Sequence, residues 1–358
     1  MILARFLSKL FKKEGIILID SQGQKYICGE ISVKEKPLTL KLLTKDLNLK
    51  LLIYPELYLG EEYYKGNIEI ENGSIYDFLN LALKNLGRAR VNVYSTVINN
   101  LFYTFKFLTN HNLVKKSKLN AEMHYNKGED IYDWMLDNDH RQYSCALFKN
   151  PNETLEQAQA NKLSHIVKKL NLKPGQRVLD IGCGWGGLSR FIAKEAGCEV
   201  HGISLASNQI DYCKKKAREL KLDNFLSYEL CDYREVKGTW DRIVNVGFFE
   251  HVSPKFYKTF FKKIHDLLKD NGDSLCLTHT IASTNPPSAV NPFINKYIFN
   301  GGKVPTASQI TKALENSGLI ISGWESLIDH YNLTLDHWRK RFLENVDKAK
   351  KVYGADFV

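Results

Sequence analysis

The sequence contains no Cys-x-x-Cys pair, and its seven cysteines are an odd number spread singly along the chain. This argues against a disulfide framework and against a zinc site built from thiolates. No run of about 18 apolar residues occurs, so we do not expect a membrane-spanning helix. The basic N-terminus lacks a long apolar core and a small-residue cleavage site, so we do not expect a secretory signal. We predict a cytoplasmic protein with reduced thiols.

Acidic residues are the minority among the charged ones: 40 Asp and Glu stand against 50 Lys and Arg, a net charge of +10. This excess favours a polyanionic partner, either nucleic acid or an anionic membrane surface, and composition alone does not choose between them. The hydrophobic fraction of 44% and the charged fraction of 25% are those of a globular protein. At about 150 residues per domain, 358 residues predict two domains.

The first 13 residues have helical spacing with one apolar face and one basic face. The apolar positions are Ile2, Leu3, Phe6, Leu7, Leu10 and Phe11. A helix of this kind either lies in a membrane interface or packs against its own domain. The alternatives stay open at this point.

Residues 1–110 are predicted to form a small α+β domain with a possible lipid or membrane contact. Short β-rich runs and one helix support this, and they fall at residues 15–20, 25–30, 38–43, 47–54 and 74–86. Residues 111–145 are polar, and we interpret them as a connecting helical segment that begins the cover of an active site.

Residues 146–358 are predicted to form an α/β domain. Strands alternate with helices of ten or more residues, which predicts crossover connections and a parallel, Rossmann-like sheet with helices on both faces. The predicted strands are 177–181, 199–203, 225–230, 240–246 and 274–279, and the predicted helices 155–170, 188–196, 207–220 and 254–268.

A buried strand runs into a glycine-rich turn and then a helix at residues 178–187, VLDIGCGWGG. Gly182, Gly184 and Gly187 fit the spacing of a dinucleotide site. Two features point elsewhere: Asp180 precedes the glycines, and no acidic residue follows Gly202 to hold a ribose. The Asp-x-Gly-x-Gly pattern resembles motif I of class I S-adenosylmethionine-dependent methyltransferases.

Further motifs follow a consistent order from about residue 51 to about residue 341. They are LGEEYYKG at 59–66, HY at 124–125, YSCA at 143–146, the glycine turn, DYR at 232–234, GFFEHV at 247–252, HTI at 279–281, NPFINKYIF at 291–299, and Tyr331 with Thr334-Leu335. Together they resemble the cyclopropane-fatty-acyl-phospholipid synthases and their mycolic acid relatives.

The resemblance implies an enzyme that transfers a methyl group from S-adenosyl-L-methionine to a cis double bond in an acyl chain, with a bound bicarbonate ion as the base. The implied bicarbonate ligands are Cys145, Glu250, His279, the backbone of Ile281, and Tyr331. The implied cofactor-binding residues are Tyr143, Ser144, Asp180, Gly182, Gly184, Ser204, Leu205, Gln209, Tyr233, Arg234 and Val246. No metal is implied.

An alkene that attacks a methyl sulfonium leaves a carbocation, which aromatic faces stabilise. The candidate walls are Phe249, Tyr257, Tyr297 and Phe299. The implied partner is an unsaturated phospholipid reached by peripheral binding to the inner membrane surface, without nucleic acid and with a possible homodimer. Residues 283–306 are expected to form a loop that gates lipid entry.

Two alternatives remain. One is a related methyltransferase that leaves a methylated or methylene-bearing chain or acts on a small amine. The other is an inactive protein that binds lipid or cofactor. Relatives continue beyond the Tyr331 segment through a helix and a strand, whereas this sequence ends at Val358. We therefore expect a sheet without its last antiparallel strand.

Overall fold

A computed structural model describes residues 1–31, 36–86, 129–283, 286–287, 289–299 and 301–354. The chain divides into two compact units. The first consists of Met1–Thr109 with Ser288–Asn300, and the second of Asn110–Pro287 with Gly301–Val358. The predicted domain boundaries at residues 110 and 145 stay predictions, and nothing in the sequence pattern indicated that residues 288–300 belong with the first unit.

The first unit is an α+β structure around a four-stranded sheet. Its strands are β1 (Ile16–Ile19), β2 (Lys25–Cys28), β3 (Thr39–Leu42) and β4 (Ile68–Glu71), in the order β2-β1-β3-β4. Strands β1 and β3 are parallel, and the other two pairs are antiparallel. Its described helices are α1 (Ile2–Leu10), α2 (Leu47–Ile53), α3 (Pro55–Tyr64) and α4 (Ile75–Leu86).

Helix α1 packs its apolar face against this sheet. Leu3, Leu7 and Phe11 are buried in one cluster with Ile16 and Leu18 of β1. Of the two readings of the N-terminal helix, packing on its own unit is therefore correct for these side chains. Leu3, Leu7 and Phe11 are therefore part of the core, whereas Ile2 at the start of α1 is exposed.

Replacing Leu3 by alanine should destabilise the first unit by about 2–5 kcal/mol, because the side chain is fully buried and its loss leaves a cavity. The neighbouring Ile2 is 73% exposed, so Ile2→Ala should change the free energy of unfolding by less than about 0.5 kcal/mol. Urea denaturation of both variants measures the difference. Equal, small effects would contradict the packing of α1.

The prediction of a strand at residues 47–54 is wrong, because Leu47–Ile53 forms helix α2. The alternating apolar residues suggested a strand, but burial follows a spacing of four: Leu47 and Leu51 are buried, while Leu49 and Ile53 are exposed. A short apolar run fits both periods, and only tertiary packing decides between them.

The segment predicted as a gating loop contains a π-helical turn at Ile294–Ile298. It packs in the first unit, where Glu61 of α3 accepts hydrogen bonds from Lys296 Nζ at 2.6 Å and Tyr297 Oη at 2.8 Å. Phe293 lies over Gly60, and a Cβ on that glycine would come within 2.5 Å of the ring. The gating role stays a prediction.

The second unit is a parallel α/β structure, as predicted. Its strands are β5 (Arg177–Ile181), β6 (Glu199–Ser204), β7 (Leu226–Leu230), β8 (Arg242–Val246) and β9 (Leu275–His279). Their order is β7-β6-β5-β8-β9, and every pair is parallel. Within the described ranges the sheet holds no antiparallel strand.

Helices cover both faces of this sheet. The described ones are α5 (Glu129–Met135), α6 (Leu155–Lys169), α7 (Gly187–Ala196), α8 (Ser207–Glu219), α9 (Tyr257–Leu267), α10 (Ala307–Leu314), α11 (Ile328–Glu344) and α12 (Val346–Tyr353). Successive residues of β5 point to opposite sides: Val178 joins the cluster under α6, α7 and α8, and Leu179 joins the one under α9 and α10. No helix of the described residues has the length and apolar character needed to cross a membrane.

Candidate active site

The glycine turn follows β5 at the carboxyl edge of the sheet, where ligands bind in open α/β folds. Gly182 and Gly184 have φ values of +77° and +53°, in the left-handed region that favours glycine. A Cβ on Gly182 would come within 2.7 Å of the Phe248 ring, whereas a Cβ on Gly184 would meet no atom within 4 Å. The backbone at Gly184 therefore faces open space that a ligand can approach.

Asp180 lies in β5, two residues before Gly182 of the glycine turn. Its side chain is 2% exposed, and Oδ2 accepts a hydrogen bond from Ser189 Oγ of α7 at 2.6 Å. Burial raises the pKa of this carboxyl to about 6. Asp180 thus ties the strand end to the following helix.

The ends of the neighbouring strands carry the other predicted cofactor residues. Ser204 ends β6, and its Oγ donates to Gln209 Oε1 of α8 at 3.0 Å, with Leu205 between them in the chain. Val246 ends β8 and is in register with His279 of β9.

Beyond β7, Asp232 holds the side chain of Arg234 through Nε at 2.7 Å and Nη2 at 2.6 Å. The ring of Tyr233 packs edge-on against Phe248 and Phe260. Phe248 is also the ring that lies beside Gly182. The Asp-Tyr-Arg motif therefore packs next to the glycine turn, through the contact of Tyr233 with Phe248.

Glu250 lies in a 3₁₀ turn, Phe249–His251, that follows β8. Its Oε1 accepts a hydrogen bond from the Ile281 N–H at 2.7 Å. The Lys303 N–H donates to the Glu250 carbonyl at 2.8 Å, and the Gly247 N–H donates to the His279 carbonyl at 3.0 Å. The ends of β8 and β9 therefore bring Glu250, His279 and Ile281 together.

Two buried polar atoms in this group have no hydrogen-bond partner among the described residues: Glu250 Oε2 and His279 Nδ1. Burial raises the pKa of Glu250 to about 7, so the carboxyl is partly ionised at neutral pH, and in the ionised form Oε2 is an acceptor. Burial lowers the pKa of His279 to about 4, so its imidazole is neutral. A buried polar atom without a partner is costly unless a ligand satisfies it.

Cys145 and Tyr331 meet at the start of helix α11. The Cys145 Sγ lies 3.7 Å from the Leu327 carbonyl, which also accepts the Tyr331 N–H. Thr334 on the same helix accepts the Ala146 N–H at 3.0 Å. Burial raises the pKa of Cys145 to about 11, so the group is a thiol at neutral pH.

The phenol of Tyr331 is within electrostatic range of Glu250 and Cys145. Its pKa is raised, mainly by burial, and the charges of Tyr143, Glu250 and Cys145 add to the effect. Tyr143 lies against Trp338, with ring centroids 5.1 Å apart, and Tyr331 meets the same indole edge-on. Cys145, Glu250, Tyr143 and Tyr331 thus share one neighbourhood.

Comparison with known proteins identifies the family. A model described as mycolic acid cyclopropane synthetase matches residues 113–358. A cyclopropane-fatty-acyl-phospholipid synthase of Escherichia coli (strain K12) is 36% identical over 329 residues, which are 90% of this chain and 81% of that protein. The chain belongs to the mycolic acid cyclopropane synthetase family.

Two other relatives extend the comparison. A probable fatty acid methyltransferase of Pseudomonas putida is 34% identical over 63% of this chain and 58% of its own length. The solved structure of a cyclopropane synthase from Mycobacterium tuberculosis is 30% identical, with a TM-score of 0.63, and covers 67% of this chain and 88% of that one. The second unit therefore has the class I methyltransferase fold of this family.

The role of the four aromatic candidates as walls for a carbocation stays a prediction. Phe249 and Tyr257 are buried in the core cluster with Phe260 and Phe261, under α9. Tyr297 and Phe299 lie in the segment that belongs to the first unit. The motif residues His124 and Tyr125 are outside the described residues.

Two polar side chains beside the site were missed at the sequence level. Gln159 and Lys162 lie on the buried face of α6, in the same stripe as Leu155 and Ile166. Gln159 Nε2 donates to the Ser144 carbonyl at 2.9 Å. Two polar residues on an apolar helical stripe were the available signal.

The raised pKa of Glu250 predicts a pH-dependent stability. The Glu250 carboxyl has a pKa near 4.5 in the unfolded chain and about 7 in the folded protein. Between pH 4.5 and pH 7 it therefore binds more protons in the folded state than in the unfolded state. Wild type should therefore lose stability relative to Glu250→Gln as pH rises from about 4.5 to about 7, by up to about 3 kcal/mol. Denaturation in bicarbonate-free buffers across this range measures the difference. A difference that does not change with pH would contradict the burial of Glu250.

Proposed function

We propose that this protein transfers a methylene group from S-adenosyl-L-methionine to the cis double bond of an unsaturated phospholipid acyl chain, forming a cyclopropane ring. The observation that carries the proposal is the pair of unpartnered buried atoms, Glu250 Oε2 and His279 Nδ1, at the same sheet edge as the open glycine turn. The E. coli relative, which matches over nine-tenths of this chain, carries the name of that activity.

The residues around the glycine turn fit S-adenosylmethionine. Gly184 leaves open space where a Cβ would stand. Ser204, at the end of the adjoining strand, and Gln209 of α8 are joined by a hydrogen bond next to it in the fold. When bound, the donor supplies an electrophilic methyl group on a positively charged sulfur. The protein's part is to hold that methyl in line with the double bond and to keep water out.

The group around Glu250 fits a small oxyanion such as bicarbonate, which would supply a base beside the new methyl group. The ionised Glu250 Oε2 can accept a hydrogen bond from a hydroxyl of such an ion. The neutral imidazole of His279, in the tautomer with its proton on Nδ1, can donate one to an oxygen of the ion. The Cys145 thiol and the Tyr331 phenol are both protonated and are further donors. These residues and the Ile281 backbone, which fixes Glu250, form the proposed anion site.

The lipid substrate implies contact with a membrane surface. We propose peripheral binding to the cytoplasmic face, supported by the net charge of +10, which anionic lipids attract. All seven cysteines are free, in keeping with a reducing compartment. The homodimer stays a prediction.

The test mixes purified protein with S-adenosylmethionine, bicarbonate and vesicles of an unsaturated phosphatidylethanolamine and phosphatidylglycerol. Mass spectrometry of the released fatty acids should show chains that have gained one methylene unit. These chains should stay unchanged under mild conditions that hydrogenate a double bond. Vesicles of saturated lipids with the same headgroups are the control. Protein that binds donor and vesicles yet leaves the unsaturated chains unchanged would contradict the proposal.

A methylated or methylene-bearing chain is the second candidate product. It is favoured by the name of the Pseudomonas putida relative, a probable fatty acid methyltransferase at 34% identity. A methyl branch keeps all three hydrogens of the transferred methyl group, whereas a ring and a methylene-bearing chain each keep two. Resistance to mild hydrogenation then separates the ring from the methylene-bearing chain.

A further inference from the structure

Lys162 is a buried lysine that has no carboxylate partner among the described residues. Its side chain is 3% exposed on helix α6. Its ammonium donates to Ser144 Oγ at 2.9 Å and to Gln142 Oε1, which are both neutral acceptors. It makes no ion pair within the part of the chain that the structure describes.

The ammonium of Lys162 has more protons to donate than it has acceptors among the described residues, and neither acceptor is negatively charged. An ammonium has three protons to donate, and two are used. Asp137 and Asp180 influence Lys162 from a distance, but their oxygens are already engaged: Asp137 accepts three backbone N–H groups, and Asp180 accepts Ser189. A buried cation is costly unless an anion pairs with it.

The contact with Ser144 places the ammonium of Lys162 next to a hydroxyl group. Because Lys162 donates to Ser144 Oγ, the hydroxyl proton of Ser144 points away from Lys162 and can be donated to a ligand. Gln159, one turn earlier on α6, fixes the carbonyl of Ser144 at 2.9 Å. Two side chains of helix α6 therefore hold Ser144: Gln159 at its carbonyl and Lys162 at its hydroxyl oxygen. The hydroxyl is left as a donor with the Lys162 ammonium next to it.

We propose that Lys162 is an anion-binding residue that, together with the Ser144 hydroxyl, binds a carboxylate-type anion. The inference rests on the proposed function, which supplies two such anions: the methionine carboxylate of the donor, and bicarbonate. Lys162 donates to Ser144 Oγ at 2.9 Å, beside the implied anion ligand Cys145, and its charge acts on both Cys145 and His279.

Protonation supports the same role. Burial lowers the pKa of Lys162 to about 8, and Asp137, Cys145 and Asp180 act in the opposite direction. The ammonium is therefore mostly charged at neutral pH, and a bound anion would raise the pKa further.

The experiment compares Lys162→Met, which keeps the length of the side chain and removes the charge, with the wild type. Lys168→Met, at an exposed position on the same helix, is the matched control. Calorimetry measures binding of S-adenosylhomocysteine and of 5′-methylthioadenosine, which lacks the amino acid part. Thermal unfolding in bicarbonate, against chloride at equal ionic strength, measures binding of bicarbonate alone.

If the anion is the donor carboxylate, Lys162→Met should bind S-adenosylhomocysteine about 10- to 100-fold more weakly, with the affinity for methylthioadenosine unchanged. If the anion is bicarbonate, both nucleoside affinities should stay at wild-type values, and the rise in unfolding temperature with bicarbonate should disappear. Either result supports the proposal, provided that Lys168→Met behaves as wild type.

Equal weakening of both nucleosides would overturn the proposal, because it indicates a purely structural role. Wild-type values in every titration would overturn it as well. Lys162→Gln is the second variant: it keeps a donor near Ser144 and loses only the charge, so the same selective loss is expected. These binding measurements need no turnover, so a protein that makes no ring would contradict the proposed function and leave this inference standing.

Discussion

Replacing Glu250 by glutamine should lower the rate of ring formation by about 10²- to 10⁴-fold, the range for loss of a positioned acid or base. Glutamine has the same shape, and its carbonyl can still accept the Ile281 N–H that Glu250 Oε1 accepts at 2.7 Å. The buried Oε2 acceptor, however, is replaced by an NH₂ donor. Binding of S-adenosylhomocysteine should stay within about threefold of wild type, since the change is small and local.

The matched control is Glu315→Gln, an exposed carboxyl that follows helix α10. It should leave both the rate and the affinity at wild-type values. Rates come from gas chromatography of acyl chains and affinities from calorimetry. Near-wild-type turnover by the Glu250 variant would remove this carboxyl from the proposed anion site.

Replacing Gly184 by valine should weaken S-adenosylhomocysteine binding by about 100-fold, equivalent to about 3 kcal/mol of steric conflict. A side chain there would occupy the open space in front of the turn. It would also strain a residue at φ +53° by about 1–2 kcal/mol.

Gly272→Val separates strain from steric conflict with the ligand. Gly272 also has a positive φ, +71°, and open space around its Cβ position, but it lies in the turn before β9. It should lose similar stability in urea denaturation and keep wild-type affinity for the ligand. Equal loss of affinity in both variants would mean that Gly184 acts only through the backbone.

The sheet of the second unit could be predicted closely because its signals are local. Strand β5 has the predicted bounds, Arg177–Ile181, and helix α6 ends within one residue of its prediction. Thr154 and Gln157 form a reciprocal capping box at the start of α6, and glycines mark the turn after β5. Such patterns fix an element without reference to distant residues.

The first unit was harder to predict, since its elements are short. Helix α2 has seven residues, and its alternating leucines fit a strand until the buried pair Leu47 and Leu51 is known. Likewise, nothing local indicates that the turn at Ile294–Ile298 belongs with a unit more than 200 residues earlier in the chain. These features depend on tertiary contacts that a sequence pattern does not carry.

In the site, residue types could be predicted but their pairing could not. Glu250 and Ile281 meet only because β8 and β9 are adjacent and parallel with Val246 opposite His279. The ring of Phe249, a candidate wall for a cation, packs in the core under α9, a position that its neighbour Glu250 does not indicate. Lys162 was overlooked because a lysine in an amphipathic helix is usually solvated.

The fate of the hydrogens on the transferred methyl group tests the central claim most directly. Protein, bicarbonate and unsaturated vesicles are incubated with S-adenosylmethionine that carries a trideuterated methyl group, and the acyl chains are weighed by mass spectrometry. Ring closure after deprotonation predicts chains that have gained a CD₂ unit, with two of the three deuterium atoms kept, and that resist mild hydrogenation. Chains that keep all three deuterium atoms as a CD₃ branch would contradict the account.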